Sequence, residues 1–125
     1  MVAALALGVT LVSASASEKV AAPVRDAVFA IQSRRRAGGA GALASLSTDQ
    51  VRVNDAGEVQ VYVILRQFRP DLVAALEATG LRVELTLPQF QLVQGWVAAD
   101  AVNAVAGLDF VREVKPPGYS VPRGR

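Results

Sequence analysis

Four side chains are the first candidates for chemistry: Glu84 with Asp100, and Tyr62 with Arg66, pairings that general acid–base work could use. Such a pair needs one group whose pKa is driven away from its partner's by burial or a neighbouring charge. Local sequence offers none of the four such a setting. Glu84 lies between Val83 and Leu85 in an alternating run that assigns it to a solvated strand face, and Asp100 stands where a helix N-cap is expected. The chain has no His and no Cys. Ser-His-Asp and Cys-His nucleophiles, ordinary zinc sites, disulfides and thiol redox motifs are therefore excluded. These residues predict a protein that is not an enzyme and needs neither metal nor cofactor.

The densest charge run is Arg34-Arg35-Arg36. It closes a segment, residues 20–36, in which Val24, Val28 and Ile31 recur at helical spacing behind Pro23, and Gly38-Gly39 follows. Cations are favoured at a helix C-terminus, so the run reads as a solvated helix end. A phosphate-binding patch would need aromatics or more charge nearby; a protease-processing site is a third reading. With 13 Lys and Arg against 11 Asp and Glu, the net charge of +2 provides no basic field that would draw nucleic acid.

The elements that position these residues begin with a composition, 52% hydrophobic and 19% charged over 125 residues, that suits one packed domain with extensions. Residues 1–16 carry an apolar stretch from Val2 to Val12 and end Ala14-Ser15-Ala16, the form of a signal peptide cleaved after Ala16, although no Lys or Arg precedes the stretch. That predicts a secreted or periplasmic protein. The stretch falls short of the roughly 20 residues needed to cross a bilayer, so no stable membrane span is expected. Residues 17–49 read as a helix followed by a Gly/Ala/Ser linker, 50–115 as the compact domain, and 116–125 as a Pro-rich tail.

Within 50–115, "QVRV", "NDAGE" and "VQVYVILR" read as strand, turn and strand, and "RPDLVAALEATG" as a helix opened by Pro70 and Asp71 and closed by Gly80. "LRVELTL" alternates, placing Leu81, Val83, Leu85 and Leu87 on one face. "QLVQGWVA" is the next strand; Asp100 then caps a helix bearing Ala101, Val102, Val105 and Leu108, and "FVREV" is the last strand. Val59-Gln60-x-x-Val63 is echoed by Val93-Gln94-x-x-Val97, so the order is a repeat, β-α-β-β-α-β. Two such units with right-handed crossovers predict an α+β fold: a ferredoxin-like sandwich with a four-stranded antiparallel sheet, two helices on one face, an extra N-terminal strand and a preceding helix. In the central strands Val59, Val61, Val63 and Leu65 face the helices with Val93, Gly95 and Val97, Gly95 allowing a helix to approach. Tyr62, Ile64 and Trp96 then project from the uncovered face, where an apolar and aromatic patch marks a contact surface.

The runs "VQVYVILR", "LVAALEATGLRVE" and "LVQGWVAADAVNAVAGLDFVREVKPPGY" resemble the propeptide domain of bacterial subtilisin-like serine proteases, over about residues 50–121. The resemblance implies a domain that docks its open sheet face on a protease as folding chaperone and temporary inhibitor, with its tail in the substrate cleft. It therefore implies a subtilisin-like protease partner, in cis or in trans, and contacts from Tyr62, Ile64, Trp96, Pro116, Pro117 and Tyr119. No catalytic Asp, His and Ser domain follows in this sequence, which ends "SVPRGR", so the resemblance implies either a detached or truncated N-terminal part of a secreted subtilisin-like protease or a stand-alone relative. The alternative is a stand-alone ferredoxin-like ligand-binding or regulatory domain. An RNA-recognition domain shares the element order, but "VQGWVAA" lacks the basic residue before Gly95 and the second aromatic on which bases stack.

Overall fold

The computed structural model describes residues 16–38 and 42–118. Four β-rich runs form one antiparallel sheet: β1 (Glu58–Leu65), β2 (Leu81–Leu87), β3 (Leu92–Ala98) and β4 (Val111–Lys115), in the spatial order β2-β3-β1-β4. Three helices, α1 (Ala22–Arg36), α2 (Pro70–Thr79) and α3 (Val102–Ala106), complete an α+β architecture. Because β3 pairs antiparallel with both β1 and β2, those two strands run parallel with β3 between them. β3 and β4 stand in the same relation across β1. Parallel strands require a crossover connection, which α2 and α3 supply.

The period-2 patterns of β1 and β3 decide which face is buried. Val59, Val61, Val63 and Leu65 are fully buried beside Val93 and Val97, and they meet Leu76 of α2 and Val102 and Val105 of α3 in one hydrophobic cluster. Val24, Ala27 and Ile31 of α1 belong to the same cluster, so α1 packs on the helix side of the sheet and not across its other face. Each fully buried Val, Leu or Ile contributes about 1.5–3 kcal/mol through removal of apolar surface from water.

The N-terminal approach to α1 is also built in. Residues 16–19 are helical, Ala16 is 2% exposed within the core, and Val20 forms a parallel bridge with Val114. The Ala21 N–H donates to the Val114 carbonyl at 2.9 Å. Cleavage after Ala16 would thus remove a core side chain; the remainder of the expected signal segment lies outside the described residues. Among the described residues no helix is long and apolar enough to cross a membrane.

Four local expectations are corrected. Strict alternation in β2 fails: Val83 pairs with Gly95 but Leu85 pairs with Gln94, leaving Glu84 as the extra residue of a bulge. From there Thr86 faces the core side opposite Val93, while Leu85 and Leu87 turn to the other face. Gly95 is small for a different reason than a helix approach. A Cβ there would lie 2.5 Å from the Arg82 carbonyl oxygen, so it is the backbone of bulged β2 that occupies the space.

The extra N-terminal strand shrinks to the bridge Val53↔Val59 and the Gln60 N–H donating to the Arg52 carbonyl at 3.0 Å, because β4 takes the same edge of β1 from Tyr62 onward. Asp100 does not cap α3 with its side chain. It sits in a 3-10 turn (Ala99–Ala101), accepts from Gln32 Nε2 at 3.2 Å and pairs with Arg35 at 3.7 Å, tying that turn to α1. In the expected linker, Leu43 and Leu46 are the first and last residues of a 3-10 turn and pack against the core.

Candidate protein-binding face

Directly paired residues in an antiparallel sheet point to the same side, so the register lays out in rows the face that the described helices leave uncovered. Gln60, Trp96 and Arg82 form one row; Lys115, Tyr62, Gln94 and Leu85 the next; Glu113, Ile64, Leu92 and Leu87 the last. Tyr62, Ile64 and Trp96 are therefore brought together on the two central strands, all half-buried. The β2 bulge adds Leu85, 45% exposed, and Leu87 to the Ile64 end, and Phe90 in the following turn is 64% exposed. This end of the face is apolar.

The Trp96 end is polar and ordered. Arg82 Nη2 donates to Glu58 Oε1 at 2.5 Å and Asn54 Nδ2 donates to the same oxygen at 2.8 Å. The Arg82 guanidinium is the main reason that the Glu58 carboxyl is held below its ordinary value. Glu84, the bulge residue, accepts from Gln60 Nε2 at 2.8 Å and Gln94 Nε2 at 3.0 Å. The bonds from Gln94 and then Gln60 lower its pKa, and the Trp96 indole contributes in the same sense. Gln60 is 7% exposed, and among the described residues no buried side-chain polar atom lacks a partner. The amide cradle keeps Glu84 ionised and oriented in the middle of the face.

Neither imagined acid–base pair is assembled as a pair. Arg66 donates through Nε to the Asp109 carbonyl at 3.0 Å, and Glu84 and Asp100 serve the separate networks described above. Pro116 is half-buried and Pro117 buried where the chain leaves β4 beside the Tyr62 row, while Tyr119 lies outside the described residues. Sequence reasoning placed Glu84 on the solvated strand face but missed Leu85 and Leu87 there, and it did not see that Gln60 and Gln94 hold Glu84. The signal for Glu84 was the repeat itself, since the echoed Gln60 and Gln94 are the two amides that hold it.

On the helix side, a cavity of about 170 Å³ lies between α1 and α3, walled by Val20, Val28, Phe29 and Val102, with Arg25 and Gln32 also lining it. Among the described residues no group of three or more His, Cys, Asp or Glu is arranged to hold a metal ion. No protein-family model, curated protein or solved structure matches the chain.

Proposed function

We propose that this chain is a non-catalytic protein-binding domain of ferredoxin-like architecture, which docks on a subtilisin-like serine protease through its open sheet face and acts as a propeptide-type chaperone and inhibitor. The observation that carries the reading is the sheet face that no described helix covers. All three helices contribute to the core on one side of the sheet, and Tyr62, Ile64, Leu85, Leu87 and Trp96 stand on the other. Contiguous apolar and aromatic surface of this kind is the usual mark of a protein contact, and aromatic residues supply a large part of contact energy. The strand order β2-β3-β1-β4, with two crossover helices, supports the ferredoxin-like part of the proposal.

In this mechanism the face supplies affinity and the tail supplies occupancy of the cleft. Pro116 and Pro117 keep the chain from becoming helical directly after β4, which suits the tail to a substrate groove. The test is hydrolysis of a peptide substrate by a subtilisin-like protease, with the full chain and with a form ending at Lys115. The full chain slows hydrolysis reversibly and the shortened form does so more weakly. Equal hydrolysis with and without the chain, across several such proteases, overturns the proposal.

A further inference from the structure

We infer that the last turn of α1 is a cleavage site for a protease of arginine specificity, and that α1 stays docked in the core after the cut. Proteolysis requires the chain to unwind over several residues, so a usable site must unwind without exposing the core. The last buried side chain of α1 is Ile31. Beyond it Gln32, Ser33 and Arg34 are half-buried, and Arg35 through Gly38 are exposed. Arg36 has a side-chain bond to Ser33 within its own turn, and around Gly38, at φ +72°, there is open space. Unwinding this turn gives up the Ala37 N–H bond to the half-buried Ser33 and, at exposed positions, the Gly38 N–H bond to Arg35 and the Arg35 contacts to the Ala56 carbonyl and Asp100.

Other described basic residues are less suited: Arg25 donates to the Val20 carbonyl within the docked part of α1, and Arg52 stands between the core residues Val51 and Val53 with its carbonyl bonded to the Gln60 N–H. Arg82, Arg112 and Lys115 are in strands, and Arg69 and Lys115 are each followed by proline. Arg66 is anchored to the Asp109 carbonyl by its side chain and to the Phe110 carbonyl by its N–H. Lys19 reaches the Leu108 carbonyl from a turn whose neighbours Ala16 and Val20 are core residues.

The reaction is hydrolysis of the Arg36–Ala37 peptide bond, or of the bond after Arg34 or Arg35. Water adds its oxygen to the arginine carbonyl carbon, the C–N bond breaks, and the amine of the next residue takes up the proton. The helix piece remains because Val24, Ala27 and Ile31 are buried and because the Ala21–Val114 and Gln32–Asp100 hydrogen bonds join it to the other piece.

The experiment is brief digestion of the full chain with trypsin, followed over time by intact mass and by gel filtration of the nicked product. The first cut between residues 16 and 118 falls after Arg34, Arg35 or Arg36, and the two pieces co-elute. A first cut elsewhere in that range, or separation of the pieces under native conditions, overturns the inference. A variant carrying Arg34→Gln, Arg35→Gln and Arg36→Gln, with an unchanged melting temperature, loses this cut at least about tenfold in rate, because cleavage tracks the opened segment and its recognised side chain. Should that variant fail to fold, the cut map of the unmodified chain still decides.

Discussion

Trp96 sits between Gln60 and Arg82 in the register, half-buried on the side of the sheet away from the helices, and its indole contributes to holding Glu84 ionised. A side chain in that setting adds contact area for a partner and little to the core. Trp96→Ala should leave thermal stability within about 1 kcal/mol of the parent, whereas truncating a fully packed Trp typically costs about 3–5 kcal/mol. A melting curve separates the two. Gly57 carries the opposite kind of constraint: its φ is +82°, and a Cβ would collide with the Arg35 guanidinium. Gly57→Ala should destabilise by about 1–2 kcal/mol, through backbone strain and displacement of the Arg35 contact to Ala56, as measured by urea unfolding. The side to which Trp96 points was legible in the sequence because β3 has no bulge and its period-2 pattern runs unbroken. The sides of Leu85 and Leu87 were not legible, because past the bulge they depend on which β3 residues they pair with, and that is a tertiary choice.

At the scale of elements, the register of β1 is the most exposed to test. Val63 pairs with Val93 and Val114 on the buried face, so Val63→Asp places a carboxylate among aliphatic side chains and should cost several kcal/mol, abolishing the cooperative melt. An unchanged far-UV spectrum and melting temperature would mean a register off by one residue. The rim between β1, β2 and β3 makes a pH-dependent contribution. The pKa values of Glu58 and Glu84 are lowered from 4.5 on folding, so their stabilisation is complete above about pH 4.5 and is lost as pH falls through their folded values. Thermal stability should therefore drop on acidification below that point, and Glu84→Gln should make the drop shallower, which a melting series from pH 7 to pH 3 would reveal. Order and type of the central elements followed from alternation and from the Pro and Gly punctuation. The short α3 and the 3-10 turn before it did not, because Asp100 is recruited by Gln32 and Arg35, residues far away in the chain.

Across the whole molecule, α1 belongs to the same core as the sheet. Its helical spacing was plain from Val24, Val28 and Ile31, but spacing alone does not say which surface an amphipathic helix covers. The buried set of Val24, Ala27 and Ile31 puts it on the helix side, and that leaves the other face of the sheet uncovered by the described helices. Ile31→Ala should cost about 2–5 kcal/mol of global stability, not merely loosen an appendage, and denaturant unfolding would register it as a shift of the single transition. The uncovered face is where the functional account stands or falls. The most direct measurement is the inhibition constant of the Trp96→Ala variant against a subtilisin-like protease that the parent chain inhibits. Docking through the sheet predicts a constant weakened about 30-fold or more, equivalent to roughly 2 kcal/mol, in a variant as stable as its parent. An equally stable variant that inhibits as well as the parent would contradict it.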